Sequence, residues 1–169
     1  MKSRWMVLTL AVCLALVLVG ATGCKHKKQE PVITTPGGPS GSGTGGQPEV
    51  KDVLFGPNGL LKPVYFDFDK SNLRPDAIEQ LNKNAEVMKK HPEYIYQIAG
   101  HCDERGTQEY NLALGERRAL AVRDYLISVG LGADKLVTIS YGKEQPADPG
   151  HDEAAWSKNR RAEFNEGKK

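Results

Sequence analysis

At 169 residues, of which 26% are charged and 39% hydrophobic, the chain is long enough for one ordinary domain with additional segments. Its formal net charge of +2 comes from the first 50 residues, because residues 51–169 carry 18 basic and 19 acidic side chains. A nearly neutral domain without a basic stripe argues against nucleic-acid binding.

The N-terminal segment has the composition of an export signal. Lys2 and Arg4 precede a short apolar run over residues 6–19, which is too short to span a bilayer comfortably. Small residues then lead into Cys24, and this arrangement resembles the lipobox of bacterial lipoproteins. The resemblance implies cleavage of residues 1–23 and acylation of Cys24. Two or three acyl chains on this residue would form a stable membrane anchor. The alternative is an ordinary cleaved signal followed by an unmodified cysteine.

The segment after Cys24 is predicted to be a flexible tether. Residues 25–28 form a basic cluster suited to anionic headgroups, and residues 31–50 consist largely of Gly, Pro, Ser and Thr. Such a composition cannot bury enough apolar surface to fold. We therefore assign residues 24–53 to the lipidated cysteine and its tether, and residues 54–169 to one folded domain.

The folded domain is predicted to begin with a strand, a helix and a second strand. Apolar side chains alternate over residues 64–68, which is typical of a strand. Pro75 suits the first turn of a helix, and apolar residues follow it at helical spacing until His91 and the next proline end the pattern. Residues 94–100 form an apolar run that predicts the second strand.

The second predicted helix has the clearest apolar stripe of the chain. The stripe runs from Leu112 to Val129 at spacings of three and four, and Gly130 is placed to end the helix. Residues 136–141 and 161–165 predict two further strands. The order βαβαββ indicates an α+β domain in which two helices pack on one face of a four-stranded mixed sheet.

The corner between the second strand and the second helix collects the side chains of greatest functional interest. Asp103 follows the strand, Gly106 lies in the connecting loop, and Asn111 and Arg118 lie on the helix. On a helical wheel Arg118 falls at the border of the apolar stripe, whereas Arg117 points into solvent. A fixed carboxylate and a fixed guanidinium with backbone N–H groups between them can hold a zwitterionic ligand.

Each of these side chains also has a structural interpretation. Asp103 fits a cap or turn residue, and Arg118 fits a structural salt bridge to Asp103 or Glu116. Asp69, which ends the first strand, is more readily interpreted as a helix-entry cap than as a binding residue. We interpret Arg105, like its neighbours in the loop, as a turn and surface residue.

Longer motifs carry a resemblance to a known family. The segments YFDFDKSNLRPDA, GHCDERGTQEYNLALGERRA and YGKEQPADPGHDEAAWSKNRRAEF occur in this order behind the lipobox. Together they resemble the peptidoglycan-associated lipoproteins (Pal) of the OmpA-like C-terminal family, over residues 64–164. The resemblance implies an OmpA-like fold that binds the meso-diaminopimelate stem peptide of peptidoglycan without covalent attachment.

The resemblance also implies roles for single residues. By motif position, Asp103 would face the ammonium group of the ligand and Arg118 its carboxylate. Asn111 would brace the loop, and Asp69 would form part of the opposite wall. Because meso-diaminopimelate carries both charges on one short side chain, a site of this kind would select it over lysine, which lacks the distal carboxylate.

The same resemblance implies the cellular setting. It indicates a lipid-anchored outer-membrane protein whose domain faces the periplasm, without catalytic activity, cofactor or metal. Its implied partners are peptidoglycan and the Tol system, especially the periplasmic TolB propeller, in envelope integrity and constriction at cell division. Lys25 favours the outer membrane, because it is not the aspartate that commonly retains lipoproteins in the inner membrane.

Two other classes of function are weighed against this one. A peptidoglycan-lytic hydrolase would use Asp67, Asp69 and Asp103 as acid and base, but no nucleophile motif accompanies these carboxylates. A metal centre would recruit His101, Cys102, Asp103 and His151, but adjacent strand residues point to opposite faces of the sheet. We interpret Cys102 as a packing residue rather than a redox centre.

Overall fold

The computed structural model describes residues 47, 48, 50, 53–57 and 59–168. The predicted signal peptide, the predicted acylation site Cys24 and most of the predicted tether lie outside the described residues. No helix in the described part is long and apolar enough to cross a membrane. The elements follow one another as β1 (Leu54–Pro57), β2 (Val64–Tyr65), α1 (Pro75–Lys90), β3 (Tyr94–His101), α2 (Gln108–Ser128), a 3-10 turn (Ala133–Lys135), β4 (Leu136–Gly142), α3 (Glu153–Asn159) and β5 (Arg161–Lys168).

The strands form one mixed sheet with β5 and β3 at its centre. The strand order is β1-β5-β3-β4, and β2 also pairs with β5. β3 and β4 run parallel, whereas every pairing of β5 is antiparallel. The predicted α+β class is therefore confirmed.

Besides the 3-10 turn, the described part of the chain contains one strand and one short helix that the sequence pattern did not predict. β1 has the sequence LFGP and half-exposed inner positions at the edge of the sheet, so that no clean alternation marks it as a strand. α3 has 7 residues, which are too few for a periodic apolar stripe. The prediction of four strands and two helices was therefore wrong by one strand and one short helix.

The first predicted strand is also shorter than residues 64–68. Only Val64 and Tyr65 pair with β5, and the backbone N–H of Phe66 donates to the carbonyl of Arg160 at 2.9 Å. The chain then leaves the sheet, and Asp69 adopts a positive φ of 57° in the loop that follows. This early departure brings the loop after β2 over the flank of α2.

Both long helices pack on the same side of the sheet. Their buried side chains form one cluster with residues that alternate along the central strands, such as Tyr96 and Ile98 of β3 and Ala162 and Phe164 of β5. The helical members of the cluster are Ala77, Leu81, Ala85 and Met88 of α1 and Ala119, Val122 and Leu126 of α2.

A contact between two glycines sets the distance from α2 to β3. A Cβ atom added to Gly100 would overlap the backbone carbonyl of Gly115, and one added to Gly115 would lie 2.9 Å from the carbonyl oxygen of Gly100. Only glycine allows the two backbones to approach so closely. The contact fixes the position of the connecting loop, which carries Asp103, relative to α2, which carries Arg118.

Candidate functional site

A cavity of about 210 Å³ opens where the loop after β2, the loop after β3 and the start of α2 meet. All four side chains predicted to bind a ligand, Asp69, Asp103, Asn111 and Arg118, line it. The other lining residues are Phe68, Cys102, Arg105, Gly106, Tyr110 and Leu114. The fold thus gathers the predicted set around one opening.

Asp103 is a buried carboxylate with basic partners. It is 4% exposed, and its Oδ1 accepts hydrogen bonds from the backbone N–H and the Nε of Arg105 at 3.2 and 3.1 Å. Its Oδ2 accepts from Nη2 of Arg105 at 2.6 Å and from Nη1 of Arg160 at 3.3 Å. Burial acts to raise the pKa of Asp103, but these hydrogen bonds outweigh it and hold the pKa below 3.8. The side chain is therefore an anion at neutral pH.

Arg105 lies between two aromatic rings. Its guanidinium carbon is 3.9 Å from the ring centroid of Phe68 and 4.2 Å from that of Trp156, so cation–π attraction adds to the ion pair with Asp103. Arg105 lies in a loop and its side chain is 31% exposed, in keeping with a loop residue near the surface, but its contacts with Asp103 and the two rings were not predicted. Sequence reasoning missed these contacts because Phe68 comes from the loop after β2 and Trp156 from α3, and no local periodicity connects them.

Arg118 is completely buried beneath the cavity. Its Nε donates to the carbonyl of Lys70 at 2.9 Å, Nη1 to that of His101 at 2.7 Å, and Nη2 to that of Asp67 at 3.1 Å. The helical wheel placed Arg118 at the edge of the core, but the loop after β2 covers that edge. Among the described residues it forms no ion pair with Asp103 or Glu116, so the structural salt bridge is not what holds it.

The neighbouring Arg117 points away from the cavity. It is exposed on α2, with its guanidinium carbon 5.9 Å from the ring centroid of Tyr110. The prediction that Arg117 is solvated is confirmed. The two adjacent arginines therefore differ in burial on one helix.

Asn111 and Gly106 shape the loop after β3. The Asn111 Nδ2 donates to the carbonyls of Arg105 and Thr107 at 2.9 and 3.1 Å. Gly106 has a φ of 93°, a conformation that side chains rarely adopt. The Thr107 hydroxyl caps α2 by accepting from the backbone N–H of Tyr110 at 3.2 Å. Together these contacts fix the loop that carries Asp103 and Arg105.

Asp69 forms the opposite wall of the cavity. The hydroxyl of Tyr110 donates a hydrogen bond to its carboxylate, and this bond raises the pKa of Tyr110. Asp69 does not cap a helix, because the N-cap of α1 is Arg74, which makes no side-chain capping bond. The pair thus links the loop after β2 to the first turn of α2.

The residues weighed for a metal centre lie in different surroundings. His101 is buried beside the Tyr141 ring and Glu163, whereas His151 is exposed and bonded to Glu104 at 2.7 Å. Cys102 donates to the carbonyl of Asn111 at 3.3 Å, and burial raises its thiol pKa. No group of three or more His, Cys, Asp or Glu residues suited to a metal ion occurs in the described part of the chain.

Comparison with known proteins assigns the fold to a class. The model of the OmpA family matches residues 65–160, which include every residue that lines the cavity. The solved structure of the peptidoglycan-associated lipoprotein from Burkholderia pseudomallei is similar, with a TM-score of 0.59 and 46% sequence identity. The similarity covers 62% of this chain and 88% of that one. The domain is therefore an OmpA-like domain.

Similarity over most of the chain narrows the assignment further. The peptidoglycan-associated lipoprotein of Agrobacterium fabrum is 43% identical over 153 residues, which are 90% of this chain and 83% of the relative. That of Pseudomonas aeruginosa is 39% identical over 158 residues, which are 89% of this chain and 92% of the relative. The chain belongs to the family of peptidoglycan-associated lipoproteins.

Proposed function

We propose that this chain binds peptidoglycan without covalent attachment and tethers the outer membrane to the cell wall. The observation that carries the proposal is the cavity in which the fold fixes the carboxylate of Asp103 and the guanidinium of Arg118. Opposite charges at a set separation suit a ligand that is itself a zwitterion. Membership in a family named for its association with peptidoglycan supports the same conclusion.

The ligand that fits this arrangement is the side chain of meso-diaminopimelate in the stem peptide. The cavity of about 210 Å³ is smaller than the roughly 300–1,000 Å³ of sites for drug-sized ligands, so it suits one amino-acid side chain. Asp103 receives the ammonium group, and Arg118 attracts the carboxylate from below. Asn111 braces the loop, while Asp69 and Tyr110 form the facing wall.

The wider role that we propose follows the family. The domain faces the periplasm from a lipid anchor at Cys24 in the outer membrane, and its partners include the Tol system and the TolB propeller. Binding to the wall on one side and attachment to the membrane on the other would serve envelope integrity and constriction during division. The lipobox, the basic cluster after it and the tether composition support this arrangement.

Pull-down with purified sacculi tests the binding site. Asp103→Asn retains the shape of the side chain and removes its charge, so we expect at least a tenfold loss of binding, which corresponds to about 1.4 kcal/mol. Arg118→Lys retains a charge but loses the planar fork, and we expect a similar loss. Arg117→Ala, on the same helix but exposed, is the matched control and should bind like the unaltered chain.

The same incubations decide between a binding protein and a lytic enzyme. Circular dichroism should show that each variant is folded before its binding is compared. Undiminished binding by both folded variants would remove the site assignment. Soluble muropeptides released by the unaltered chain would overturn the non-enzymatic role.

A further inference from the structure

We propose that Arg105 is an internal competitor for the ammonium group, so that the ligand must displace its side chain from Asp103. The proposal rests on the function proposed above and specifies how that site admits its ligand.

The carboxylate of Asp103 has no acceptor position left for a ligand. A carboxylate offers about four acceptor positions, two on each oxygen. Here Oδ1 accepts from the backbone N–H and the Nε of Arg105, and Oδ2 accepts from Nη2 of Arg105 and Nη1 of Arg160. An incoming ammonium group therefore needs one of these donors to leave.

The side chain of Arg105 is the donor that can leave. Arg160 is 7% exposed, and its other nitrogens are fixed by the carbonyl of Phe66 at 3.1 Å and by Glu153 at 2.6 Å. The backbone N–H of Arg105 is part of the loop itself. The Arg105 side chain is 31% exposed, and it supplies two of the four hydrogen bonds.

The surroundings show that the position occupied by Arg105 is a cation site. The Phe68 and Trp156 rings lie on its two sides, and Glu153 approaches Nη2 to 3.7 Å. The Trp156 ring is held in turn by its Nε1–H, which donates to Glu104 at 2.8 Å. Two aromatic faces and a buried carboxylate would also bind the ammonium group of a ligand.

A built-in competitor has a consequence for selectivity. A ligand with an ammonium group alone exchanges one cation for another and gains little. A ligand that also carries a carboxylate gains the attraction of Arg118 in addition to the exchange, so it can displace Arg105. Because of Arg105, binding depends on both charges of meso-diaminopimelate more strongly than it would with Arg118 alone.

Calorimetric titration of the full chain with a synthetic stem peptide ending in meso-diaminopimelate tests the proposal. We expect Arg105→Gln to bind this peptide about three- to thirtyfold more tightly than the unaltered chain, because Asp103 no longer has an internal partner. The same substitution should reduce the ratio of the affinity for this peptide to the affinity for a peptide ending in lysine. Arg105→Lys keeps a charge and a smaller donor group, so its affinity for the peptide should lie between those of the unaltered chain and Arg105→Gln.

The matched control is Lys143→Gln. Lys143 follows β4 and donates to the carbonyls of Glu104 and Gly106 at 3.3 and 2.7 Å, so it contacts the same loop without a hydrogen bond to Asp103. Its loss removes one positive charge, as Arg105→Gln does. An equal gain in both variants would mean that long-range charge is responsible, and it would overturn the competition.

A second readout follows the displaced group itself. In the free protein the Arg105 Nε–H resonance should be protected from exchange with solvent, and saturation with the peptide should abolish this protection. Weaker or unchanged binding by Arg105→Gln, with binding by the unaltered chain intact, would overturn the competition and leave the proposed function standing. Absence of binding by every folded variant and by the unaltered chain would overturn both.

Discussion

Buried arginines carry much of the polar architecture of this domain. Arg118 and Arg160 are 0% and 7% exposed; Arg118 donates to three backbone carbonyls from two segments of the chain, and Arg160 donates to the backbone carbonyl of Phe66. Burying a charge without partners is costly, so these hydrogen bonds fix where the loop after β2 can lie. A substitution of Arg118 therefore acts on folding as well as on binding, and its effects must be separated by a stability measurement.

Protonation of the buried His101 should lower the stability of the folded domain. This residue is 1% exposed, and burial together with the charge of Arg161 lowers its pKa from 6.5 to about 4, although Glu163 acts in the opposite direction. The folded state therefore favours the neutral ring. Its contribution is complete above about pH 6.5, and it is lost as the pH falls towards 4, because the unfolded chain then binds the proton first.

The expected size of this effect follows from the shift. A displacement from 6.5 to about 4 corresponds to roughly 3 kcal/mol of unfolding free energy. Denaturant titrations at pH 7.5 and pH 4 give the unfolding free energy at each pH. Between these two values it should fall by about this much less in His101→Gln than in the unaltered chain. His91→Gln is the control, since His91 is half-exposed, and its substitution should change the pH dependence much less than that of His101. Equal pH dependence in all three proteins would contradict the account.

The residues of the site were predictable to different degrees. Asp103, Asn111 and Arg118 are close in sequence, so motif spacing and a helical wheel could place them at one corner. The contacts of Arg105 were not predicted because Phe68 and Trp156, the rings on either side of its guanidinium group, are brought to it only by the tertiary structure. The depth of Arg118 was underestimated for the same reason, since a wheel does not include the loop that covers the helix.

Among the elements, α2 and β3 determine the site through their close approach. The helix contributes Arg118, the strand ends next to Asp103, and the contact of Gly100 with Gly115 sets their spacing. Long periodic elements such as α1 and α2 could be predicted from the sequence. The edge strand β1 and the short α3 could not, because their positions depend on pairing with β5 and on contacts with distant loops rather than on a local pattern.

Gly115→Ala tests the importance of this spacing. Alanine favours a helix over glycine by about 1 kcal/mol, but its Cβ would overlap the Ser140 hydroxyl and lie 2.9 Å from the carbonyl oxygen of Gly100. Overpacking costs about 1–3 kcal/mol, so after the helix gain is subtracted we expect a net loss of up to about 2 kcal/mol in denaturant unfolding, together with weaker sacculus binding.

A second substitution separates the clash from other causes. Ser140→Ala removes the hydroxyl that Gly115→Ala would meet, so the double variant should recover part of the lost stability, at the cost of the bond from Ser140 to the carbonyl of Leu112. Strictly additive losses would show that the Ser140 hydroxyl is not the obstacle.

At the scale of the whole molecule, the sequence assigns membrane attachment and ligand binding to different segments. The predicted anchor, Cys24, and the predicted tether precede the domain, and every lining residue of the cavity lies between Phe68 and Arg118. If the predicted tether of about 25 residues behaves as a flexible chain, it has an r.m.s. reach of roughly 25–30 Å. We therefore expect wall binding to be a property of the folded domain that does not need the lipid.

Cys24→Ser tests this division on the full chain. The substitution removes the thiol that acylation requires, so we expect the protein to leave the membrane fraction. Its binding to purified sacculi should stay within about twofold of the unaltered chain, because every residue that lines the cavity belongs to the folded domain. Asp103→Asn should show the reverse, with membrane association retained and sacculus binding lost. A Cys24→Ser protein that stays in the membrane fraction would contradict the lipid anchor, and one that no longer binds sacculi would contradict the independence of the domain.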